Sequence, residues 1–346
     1  MPAERLHRIF FFFLTILALA ALASCKSASG DRYIRIEGYA QGGTYHVICE
    51  VPAGVADTSA AARVEATLDA VDRSLSGYNK GSLLSKLNAG EDLPLDSCFI
   101  NVFVRSQEIW RESDGAFDPS AAPLFDLWGF GFTDRSSVSD VQIDSILQFV
   151  GMDLFSLDTL EDGTVHLRRS DPRAKLNFNA IAQGYTCDAV ASELEKLGSR
   201  NYLVEVGREI LTRGLNSRGD KWRIGLDKPS DGNFDEGKNL QDIIDVTDCG
   251  IVTSGNYRKF YVENGEKYAH TLDPHTGRPV RHNLLSATVT AFDATTADAY
   301  ATWFMVVGPE EARKIVEGRE DLETYLIYGE QENMKTWRTP GLTIEE

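Results

Sequence analysis

Residues 293–302 read Asp-Ala-Thr-Thr-Ala-Asp-Ala-Tyr-Ala-Thr and begin a helix that we predict over residues 296–307. On this helix Asp298 and Thr302 stand at positions i and i+4, so their side-chain oxygens share one face. A carboxylate beside a hydroxyl suits a hard cation such as Mg²⁺, which takes few protein ligands together with water and phosphate oxygens. Alternatively, one of the two adjacent threonines caps the helix and the acid lies in its first turn, which leaves the later hydroxyl unexplained.

Outward from this helix, predicted helices and strands alternate irregularly, without the βαβ rhythm of a doubly wound sheet, so we expect an α+β fold. The other helices are predicted at residues 64–75, 100–112, 138–150 (capped by Ser137 or Ser139), 181–197 and 309–317. Strands are predicted at residues 33–37, 44–51, 165–169, 202–206, 221–226, 243–247, 259–263, 287–292 and 324–328. The first two strands form a hairpin around Gly42-Gly43, and residues 228–238 form a surface loop.

The composition is that of a globular protein with a large core. The chain has 346 residues, of which 42% are hydrophobic and 25% charged, so disorder or fibrous repeats are excluded as the main structure. Its 52 acidic residues outnumber the 35 Lys and Arg, and the formal net charge is −17. Because such a field repels polyanions, we expect no nucleic-acid binding. A phosphate ligand would have to be met locally, by a metal or by backbone N–H groups.

The first thirty residues have the pattern of a targeting segment. Arg5 and Arg8 precede an apolar run over residues 9–23, which is too short to span a bilayer as a helix. The run ends in Leu22-Ala-Ser-Cys25, which resembles a bacterial lipoprotein cleavage site. We therefore expect a signal peptide over residues 1–24, lipidation of Cys25, a tether over residues 25–31, and a lipid-anchored membrane protein on the extracytoplasmic (periplasmic) side. The alternative is an ordinary signal peptide with an incidental cysteine.

The other four cysteines, Cys49, Cys98, Cys187 and Cys249, are widely spaced. With no Cys-x-x-Cys pair among them, a zinc or redox site is not expected. An oxidising compartment would permit disulfides, but the spacing does not pair them, and isolated buried thiols are the simpler expectation.

Three polar and glycine-rich segments are candidate ligand sites. The first runs from Gly115-Ala-Phe-Asp-Pro119 to Leu127-Trp-Gly-Phe-Gly131 and is either a buried Ω-loop or a rigid platform for a flat ring. The second, residues 177–185, reads as a strand end entering a helix, where N–H groups and the helix dipole favour phosphate, although Asn and Gly are also common caps there. The third covers residues 253–257 and 270–279. The residues favoured in turns explain its Asp-Pro-His-Thr-Gly part but not His270. His270 is either a functional residue or a packed or capping histidine.

Taken in this order, the segments resemble the ApbE family, the FAD:protein FMN transferases. The similar blocks are Gln41-Gly-Gly-Thr44, Ser76-Gly-Tyr-Asn79 with Ser85-Lys-Leu-Asn88, the Gly115 to Gly131 segment, Ala180-Ile-Ala-Gln-Gly-Tyr185, Thr253-Ser-Gly255, His270 to Pro279, and Asp293 to Asp298. They span nearly the whole chain after Cys25. The resemblance implies a single α+β domain over residues 32–346, with a mixed, largely antiparallel sheet and packed helices.

The resemblance also implies which residues form the site. The flavin contacts would be Gln41, Tyr78, Ala116, Phe117, Asp118, Asn177, Gln183 and Leu272, with Tyr78 and Phe117 packed on a ring of FAD. The Mg²⁺ ligands would be the carbonyl of Ala180, Asp298 and Thr302. Five positions depart from the usual family residues, namely Gln41 (Met), Asn177 (Asp), Gln183 (Lys), Arg208 (Gly) and Ala301 (a metal-binding Asp in some members). These departures bear on affinity and rate more than on the class of reaction.

The reaction that the resemblance implies is transfer of FMN from FAD to a threonine hydroxyl of an acceptor flavoprotein subunit, with release of AMP. Attack on a pyrophosphate phosphorus needs a metal, a base and a fixed flavin. His270 is the candidate base, because an imidazole titrates near neutral pH. One alternative is hydrolysis of FAD to FMN and AMP by the same residues. Another is a non-catalytic FAD-binding lipoprotein, which the neutral side chains of Asn177 and Gln183 favour.

Overall fold

The structure is a computed structural model that describes residues 32–131, 138–230, 237–256, 260–263, 266–330 and 333–345, with the backbone alone described for 260–263 and 266–269. The predicted signal peptide, Cys25 and the tether lie outside the described residues, as do Tyr257, Lys259 and the middle of the predicted loop over residues 228–238. None of the helices in these ranges is long and apolar enough to cross a membrane.

Within the described ranges, eight helices and sixteen strands follow in an irregular order, which confirms the predicted α+β class. The helices are α1 (Asp57–Leu75), α2 (Leu83–Asn88), α3 (Ser97–Glu112), α4 (Ala122–Leu127), α5 (Asp140–Leu147), α6 (Ala182–Lys196), α7 (Ala294–Val307) and α8 (Pro309–Val316). The strands are β1 (Arg32–Ala40), β2 (Gly43–Val51), β3 (Phe155–Thr159), β4 (Val165–Arg169), β5 (Tyr202–Val206), β6 (Glu209–Arg213), β7 (Trp222–Asp227), β8 (Leu240–Val246), β9 (Gly250–Gly255), β10 (Phe260–Glu263), β11 (Glu266–Ala269), β12 (Leu272–Asp273), β13 (Arg278–Pro279), β14 (Leu284–Ala291), β15 (Glu323–Glu330) and β16 (Asn333–Arg338).

The main sheet has eight strands in the order β1-β2-β5-β6-β9-β14-β15-β16. Every pair of neighbours in it is antiparallel. This confirms the expected largely antiparallel sheet, and the parallel pairing found in the described ranges is an isolated bridge between Ala121 and Lys175. Strands β6 and β9 at its centre were not among the predicted strands.

The sheet packs helices on one face and the β7–β8 hairpin on the other. Because side chains alternate between the two faces of a strand, Val252 of β9 lies in the helical core while its neighbour Ile251 packs with the hairpin. On β15, Leu326 likewise faces the helices, and Tyr325 and Ile327 face the hairpin. Both faces of the sheet are thus covered at β9 and β15, and there the molecule has three layers.

Helix α7 lies at the centre of the helical layer. Twelve of its fourteen residues are buried, and it packs against β9, β14 and α6. Asp293 caps it, because its carboxylate accepts a hydrogen bond from the Thr296 N–H at 2.6 Å. The alternative interpretation of the opening segment is therefore wrong: the cap is not a threonine, and Asp298 lies beyond the first turn.

Helices α6 and α7 meet at a joint that only glycine allows. A Cβ atom at Gly184 of α6 would lie 2.3 Å from the Ala294 carbonyl oxygen and 2.8 Å from the Asp298 Cβ. Across the same joint, the Asp188 carboxylate of α6 accepts hydrogen bonds from the N–H groups of Ala294 at 2.9 Å and Thr295 at 2.8 Å. The close approach lets an acid of one helix bind the positive N-terminus of the other.

Two local predictions are refined by the structure. The β1–β2 hairpin is confirmed, but its turn residues are Gln41 and Gly42, with φ of 52° and 79°, and Gly43 already pairs with Ala40. Positive φ at both central positions is the geometry of a type I′ turn. Of the two candidate caps of α5, Ser139 is the N-cap and forms a capping box with Gln142.

The four cysteines of the described chain are free thiols, which confirms the expectation of isolated thiols. Cys49 and Cys187 are buried, whereas Cys98 and Cys249 are half-buried. Burial raises the pKa of Cys49 to about 11, so this thiol is a packing group rather than a nucleophile.

The glycine joint predicts a large loss of stability in Gly184→Ala. Overpacking costs about 1–3 kcal/mol, and here the new methyl group meets the backbone of α7, so we expect the upper end, about 3 kcal/mol. In the control variant Gly43→Ala, the added Cβ would have one neighbour, the Gly207 Cα at 3.4 Å, and the change should stay below about 1 kcal/mol. Urea unfolding measures the change in stability of both variants. Equal midpoints for the parent and Gly184→Ala would show that the contact between α6 and α7 does not require glycine.

Candidate active site

Several of the residues implied by the motifs lie around the N-terminus of α6. The segment before this helix is extended loop, not the predicted strand end. Asn88 holds it, because its side chain accepts a hydrogen bond from the Leu176 N–H at 2.9 Å and donates one to the Leu176 carbonyl at 2.8 Å. The Asn177 N–H donates to the Pro119 carbonyl at 2.8 Å. Side-chain and loop contacts therefore replace a strand partner in fixing the start of α6.

Asp298 is the acid at the centre of this region. It is 4% exposed, and its Oδ2 accepts a hydrogen bond from the Gly184 N–H at 3.1 Å, so it lies at the N-terminus of α6. Burial raises the pKa of Asp298 to about 7, the Gly184 hydrogen bond opposes that rise, and the charge of Asp188 adds to it. A cation at this point would favour the ionised carboxylate.

A hydroxyl oxygen lies on the same face of α7 as this carboxylate, and a backbone carbonyl precedes the helix whose N-terminus the carboxylate meets. Thr302 follows Asp298 by one turn of α7, and its hydroxyl is 3.5 Å from the Ser254 hydroxyl on β9. Ala180 lies two residues before α6. A carboxylate, a hydroxyl and a carbonyl are the donors that Mg²⁺ takes, so these residues fit the implied ion. In the part of the chain that the structure describes, no three His, Cys, Asp or Glu side chains form a metal-binding group.

Two neutral side chains border the first turns of α6. At the β1–β2 turn, Gln41 donates a hydrogen bond from Nε2 to the Thr186 hydroxyl at 3.0 Å, and this hydroxyl donates to the Ala182 carbonyl at 2.6 Å. The Gln183 amide packs so tightly on Gly207 that a Cβ there would lie 2.0 Å from its Nε2. The structure thus brings both predicted glutamines to the same helix end as Asp298.

Tyr78 and Asn177 are linked through Asn179. The Asn179 side chain donates to the Tyr78 hydroxyl at 3.3 Å, and its backbone N–H donates to the Asn177 Oδ1 at 2.8 Å. Tyr78 is 65% exposed. Its ring therefore stands beside the segment that leads into α6, where it can pack on a planar ligand.

The loop after α3 is well packed. Phe117 is 2% exposed and Ala116 is 6% exposed, and both belong to the helical core. Asp118 accepts hydrogen bonds from the Ser120 N–H at 2.7 Å, the Ser120 hydroxyl at 2.5 Å and the Trp110 Nε1 at 3.1 Å. The Ω-loop interpretation accounts for this packing, and flavin contacts of these three residues stay a prediction.

The turn between β12 and β13 has the predicted turn chemistry. The Asp273 Oδ1 accepts a hydrogen bond from the His275 N–H at 2.9 Å, and the Gly277 N–H donates to the Asp273 carbonyl at 2.8 Å. The Trp128 Nε1 donates to the Gly277 carbonyl at 2.8 Å. This bond joins the turn to the Trp-Gly-Phe-Gly segment that precedes it by about 150 residues in sequence.

His270 and Leu272 lead into this turn. The His270 ring is half-buried and meets the Phe130 ring edge-on, with centroids 6.5 Å apart. Leu272 is 2% exposed and packs with Leu124, Trp128 and Ile143 in a small satellite core. The roles of His270 as a base and of Leu272 as a flavin contact stay predictions.

Comparison with known proteins decides the family. The profile of the ApbE family matches residues 41–326. The chain belongs to the ApbE family. This confirms the resemblance drawn from the motifs and the prediction that the chain is an enzyme. It is 36% identical over 284 residues to "FAD:protein FMN transferase" of Escherichia coli K12, which covers 80% of this chain and 79% of the relative.

Solved ApbE structures share the fold. The flavin transferase ApbE from Vibrio cholerae superimposes with a TM-score of 0.77 at 30% identity, over 90% of this chain and 98% of that one. The apo form of the Pseudomonas stutzeri flavinyl transferase ApbE gives a TM-score of 0.79 at 31% identity, over 90% and 95% of the two chains. The ApbE fold therefore extends over nearly all of the described chain.

Two acids at or next to the first turns of α6 were missed from the sequence. Asp188 follows Gly184 by four residues on α6, a spacing that puts it on the same helix face, so it could have been found. Glu209 opens β6, and its Oε2 is buried with no hydrogen-bond partner in the described ranges. No spacing in the sequence relates Glu209 to Asp298.

The half-buried Asp118 predicts that the stability of the protein depends on pH. Burial raises its pKa from 3.8 to about 6 against the hydrogen bonds from Ser120 and Trp110. Since the folded value exceeds the unfolded one, the folded protein keeps a proton that the unfolded chain loses, and this contribution to stability weakens as pH rises from about 4 to 6. Between pH 4 and pH 7, the unfolding free energy of Asp118→Asn should gain about 2 kcal/mol relative to the parent.

Urea unfolding of the parent and Asp118→Asn at several pH values measures this difference. Asp114→Asn, which removes an exposed acid of the same loop, is the matched control. Parallel stability profiles for the parent and Asp118→Asn would show that the carboxyl group is ionised throughout and that its burial has no such effect.

Proposed function

We propose that this enzyme transfers FMN from FAD to a threonine hydroxyl of an acceptor protein, in a Mg²⁺-dependent reaction that releases AMP. The relatives named FAD:protein FMN transferase support the flavin transfer. The observation that best supports a reaction at the diphosphate of FAD is the buried Asp298 carboxylate at the N-terminus of α6. The Thr302 hydroxyl lies one turn further along α7.

In the proposed step, the threonine oxygen of the acceptor forms a bond to the FMN phosphorus of FAD. The bond from that phosphorus to the bridging oxygen breaks, and AMP leaves with this oxygen. The hydroxyl proton passes to His270 as general base. Mg²⁺, held by Asp298, Thr302 and the Ala180 carbonyl, would neutralise charge on the diphosphate.

The remaining task of the protein is to hold FAD in one orientation. The N-terminus of α6 offers backbone N–H groups and a positive dipole end, which favour a diphosphate. The exposed ring of Tyr78 lies close to that end and suits packing on a flavin or adenine ring. Fixing the reacting groups in this way lowers the entropic part of the barrier.

We also propose that the enzyme is anchored through lipid at Cys25 and acts on the extracytoplasmic side of a bacterial membrane. The support is the sequence pattern of residues 1–25. The acceptor threonine would then lie on a membrane protein or a protein near the membrane surface.

The proposed metal dependence is tested with Asp298→Asn. Asparagine keeps the shape and can still accept the Gly184 hydrogen bond, but it removes the charge that would hold the cation. We expect a folded protein whose melting temperature equals or exceeds that of the parent, because a buried charge is removed, and whose AMP release is lost. AMP release at the parent rate in EDTA would eliminate a metal mechanism at this residue.

Thr302→Val tests the neutral ligand of the same site. Loss of a hydroxyl should reduce the rate less than loss of the carboxylate does, because a neutral oxygen binds a cation more weakly. Excess Mg²⁺ should therefore restore AMP release in Thr302→Val more fully than in Asp298→Asn. Rescue of the two variants at the same Mg²⁺ concentration would contradict this ranking.

His270→Ala tests the base. General-base help usually contributes about 10²–10⁴-fold, so transfer should slow by that factor while the affinity for FAD changes little. His275→Ala is the control: this histidine lies in the same segment, and its Nε2 is 2.7 Å from the Asp114 carbonyl. Equal transfer rates for the parent and His270→Ala would remove His270 from the mechanism.

An assay with a candidate acceptor protein distinguishes FMN transfer from FAD hydrolysis. The protein is incubated with FAD, Mg²⁺ and a candidate acceptor, and in-gel flavin fluorescence of the acceptor is measured together with AMP. Transfer predicts AMP in step with labelled acceptor, and no label when the acceptor threonine is replaced by alanine. AMP and free FMN without labelling would indicate hydrolysis of FAD, and neither product would indicate a binding protein.

A further inference from the structure

Glu209 is held against the same helix end as the proposed cation site. It follows the two-residue turn Gly207-Arg208, whose φ values are 63° and 95°, and it is the first residue of β6. The Gly207 N–H donates to the Thr44 carbonyl at 3.0 Å, and the Gln183 amide packs on Gly207. This turn therefore fixes the start of β6 beside the first turn of α6.

Helix α6 brings Glu209 and Asp298 to one of its faces. Gly184 and Cys187 are three residues apart on this helix and so are neighbours on its surface. The Gly184 N–H binds the Asp298 carboxylate at 3.1 Å, and the Cys187 thiol donates to the Glu209 carbonyl at 3.1 Å. The two residues are more than eighty positions apart in sequence. They are attached to adjacent positions of α6, Glu209 through its backbone carbonyl and Asp298 through its carboxylate.

One oxygen of the Glu209 carboxylate, Oε2, is buried without a hydrogen-bond partner among the described residues. The residue as a whole is half-buried. Burial raises the pKa of Glu209, the charge of Asp298 adds to the rise, and the backbone N–H of Glu209 and the charge of Arg208 oppose it. Asp188, in contrast, is satisfied by the N-terminus of α7.

Two buried carboxylates near each other are unfavourable unless a proton or a cation lies with them. We propose that Glu209 is a positioning residue of the cation site formed by Asp298 and Thr302, where it supplies a second negative charge and raises the affinity for a divalent cation. This inference rests on the metal site of the proposed function. It assigns a role to a side chain that neither the motifs nor the implied ligand set includes.

The test measures binding of Mn²⁺ alone to the purified full-length chain in detergent, by the electron paramagnetic resonance signal of free Mn²⁺. Loss of groups that support metal ligands typically costs about 10–100-fold in affinity, so Glu209→Gln should raise the Kd at least about tenfold. Glu209→Asp, which keeps the charge, should lie between the parent and Glu209→Gln. The matched control is Glu205→Gln on the same hairpin, whose carboxylate lies 3.5 Å from His46, and its Kd should stay within about twofold of the parent value.

Melting temperatures separate this role from a structural one. In EDTA, Glu209→Gln should melt at or above the melting temperature of the parent, because a buried charge is removed. In saturating Mn²⁺, the melting temperature of the parent should rise more than that of the variant and exceed it. A Glu209→Gln protein that melts below the parent in EDTA would show that the carboxylate supports the fold and would overturn the inference.

Asp298→Asn distinguishes failure of this inference from failure of the metal site. If Asp298→Asn loses Mn²⁺ while Glu209→Gln binds it like the parent, the role of Glu209 is refuted and the site of Asp298 stands. If neither variant changes the Kd, or if the parent binds no Mn²⁺, both the inference and the preformed metal site are refuted.

Discussion

The rest of the structure depends on a reciprocal contact between two helix ends. Asp188 of α6 accepts hydrogen bonds from the first N–H groups of α7, and Asp298 of α7 accepts one from the Gly184 N–H of α6. Each helix thereby supplies the acid that satisfies the other's unpaired N-terminal groups. The contact needs backbone-to-backbone proximity, which the missing side chain of Gly184 provides. Because α7 also fills the space over β9 and β14, the position of the whole helical layer follows from this joint.

This joint and the candidate active site are the same place, and that coincidence has a physical reason. The two acids that hold the helices together are desolvated, and burial raises the pKa of Asp188 to about 6 and that of Asp298 to about 7. Asp188 makes three contacts with α7, including one with the Thr295 hydroxyl. Asp298 accepts its N–H bond through Oδ2. The fold therefore leaves a poorly solvated carboxylate at a positive helix end, which is a favourable starting point for binding a cation together with a phosphate.

The sequence predicted those parts of the structure that local pattern controls. The α6, α7 and α8 segments were predicted from the local sequence, and the β1–β2 hairpin from its turn residues. The central strands β6 and β9 were not, because β6 is five residues long and opens with an acid, and β9 ends in a polar Thr-Ser-Gly segment that was interpreted as a ligand loop. The motifs located Asp298 and Thr302. The position of Glu209 beside α6, in contrast, depends on a contact between segments that are distant in sequence, and hydrophobic periodicity in a single sequence does not reveal such contacts.

The acidity of the chain constrains how the proposed diphosphate can be bound. With a net charge of −17, long-range attraction for an anionic substrate is lacking, so binding has to come from short-range groups. Gln183, where relatives were expected to have a lysine, is neutral and packs on Gly207, and Gln41 is engaged with Thr186. What remains at this end of α6 is the helix dipole with its N–H groups, together with the cation that the proposed function places on the Asp298 carboxylate. Under the proposed function, a site built in this way would bind the diphosphate and the cation as a unit, because each favours the other's charge and the cation would take the place of the proton that burial favours on these acids.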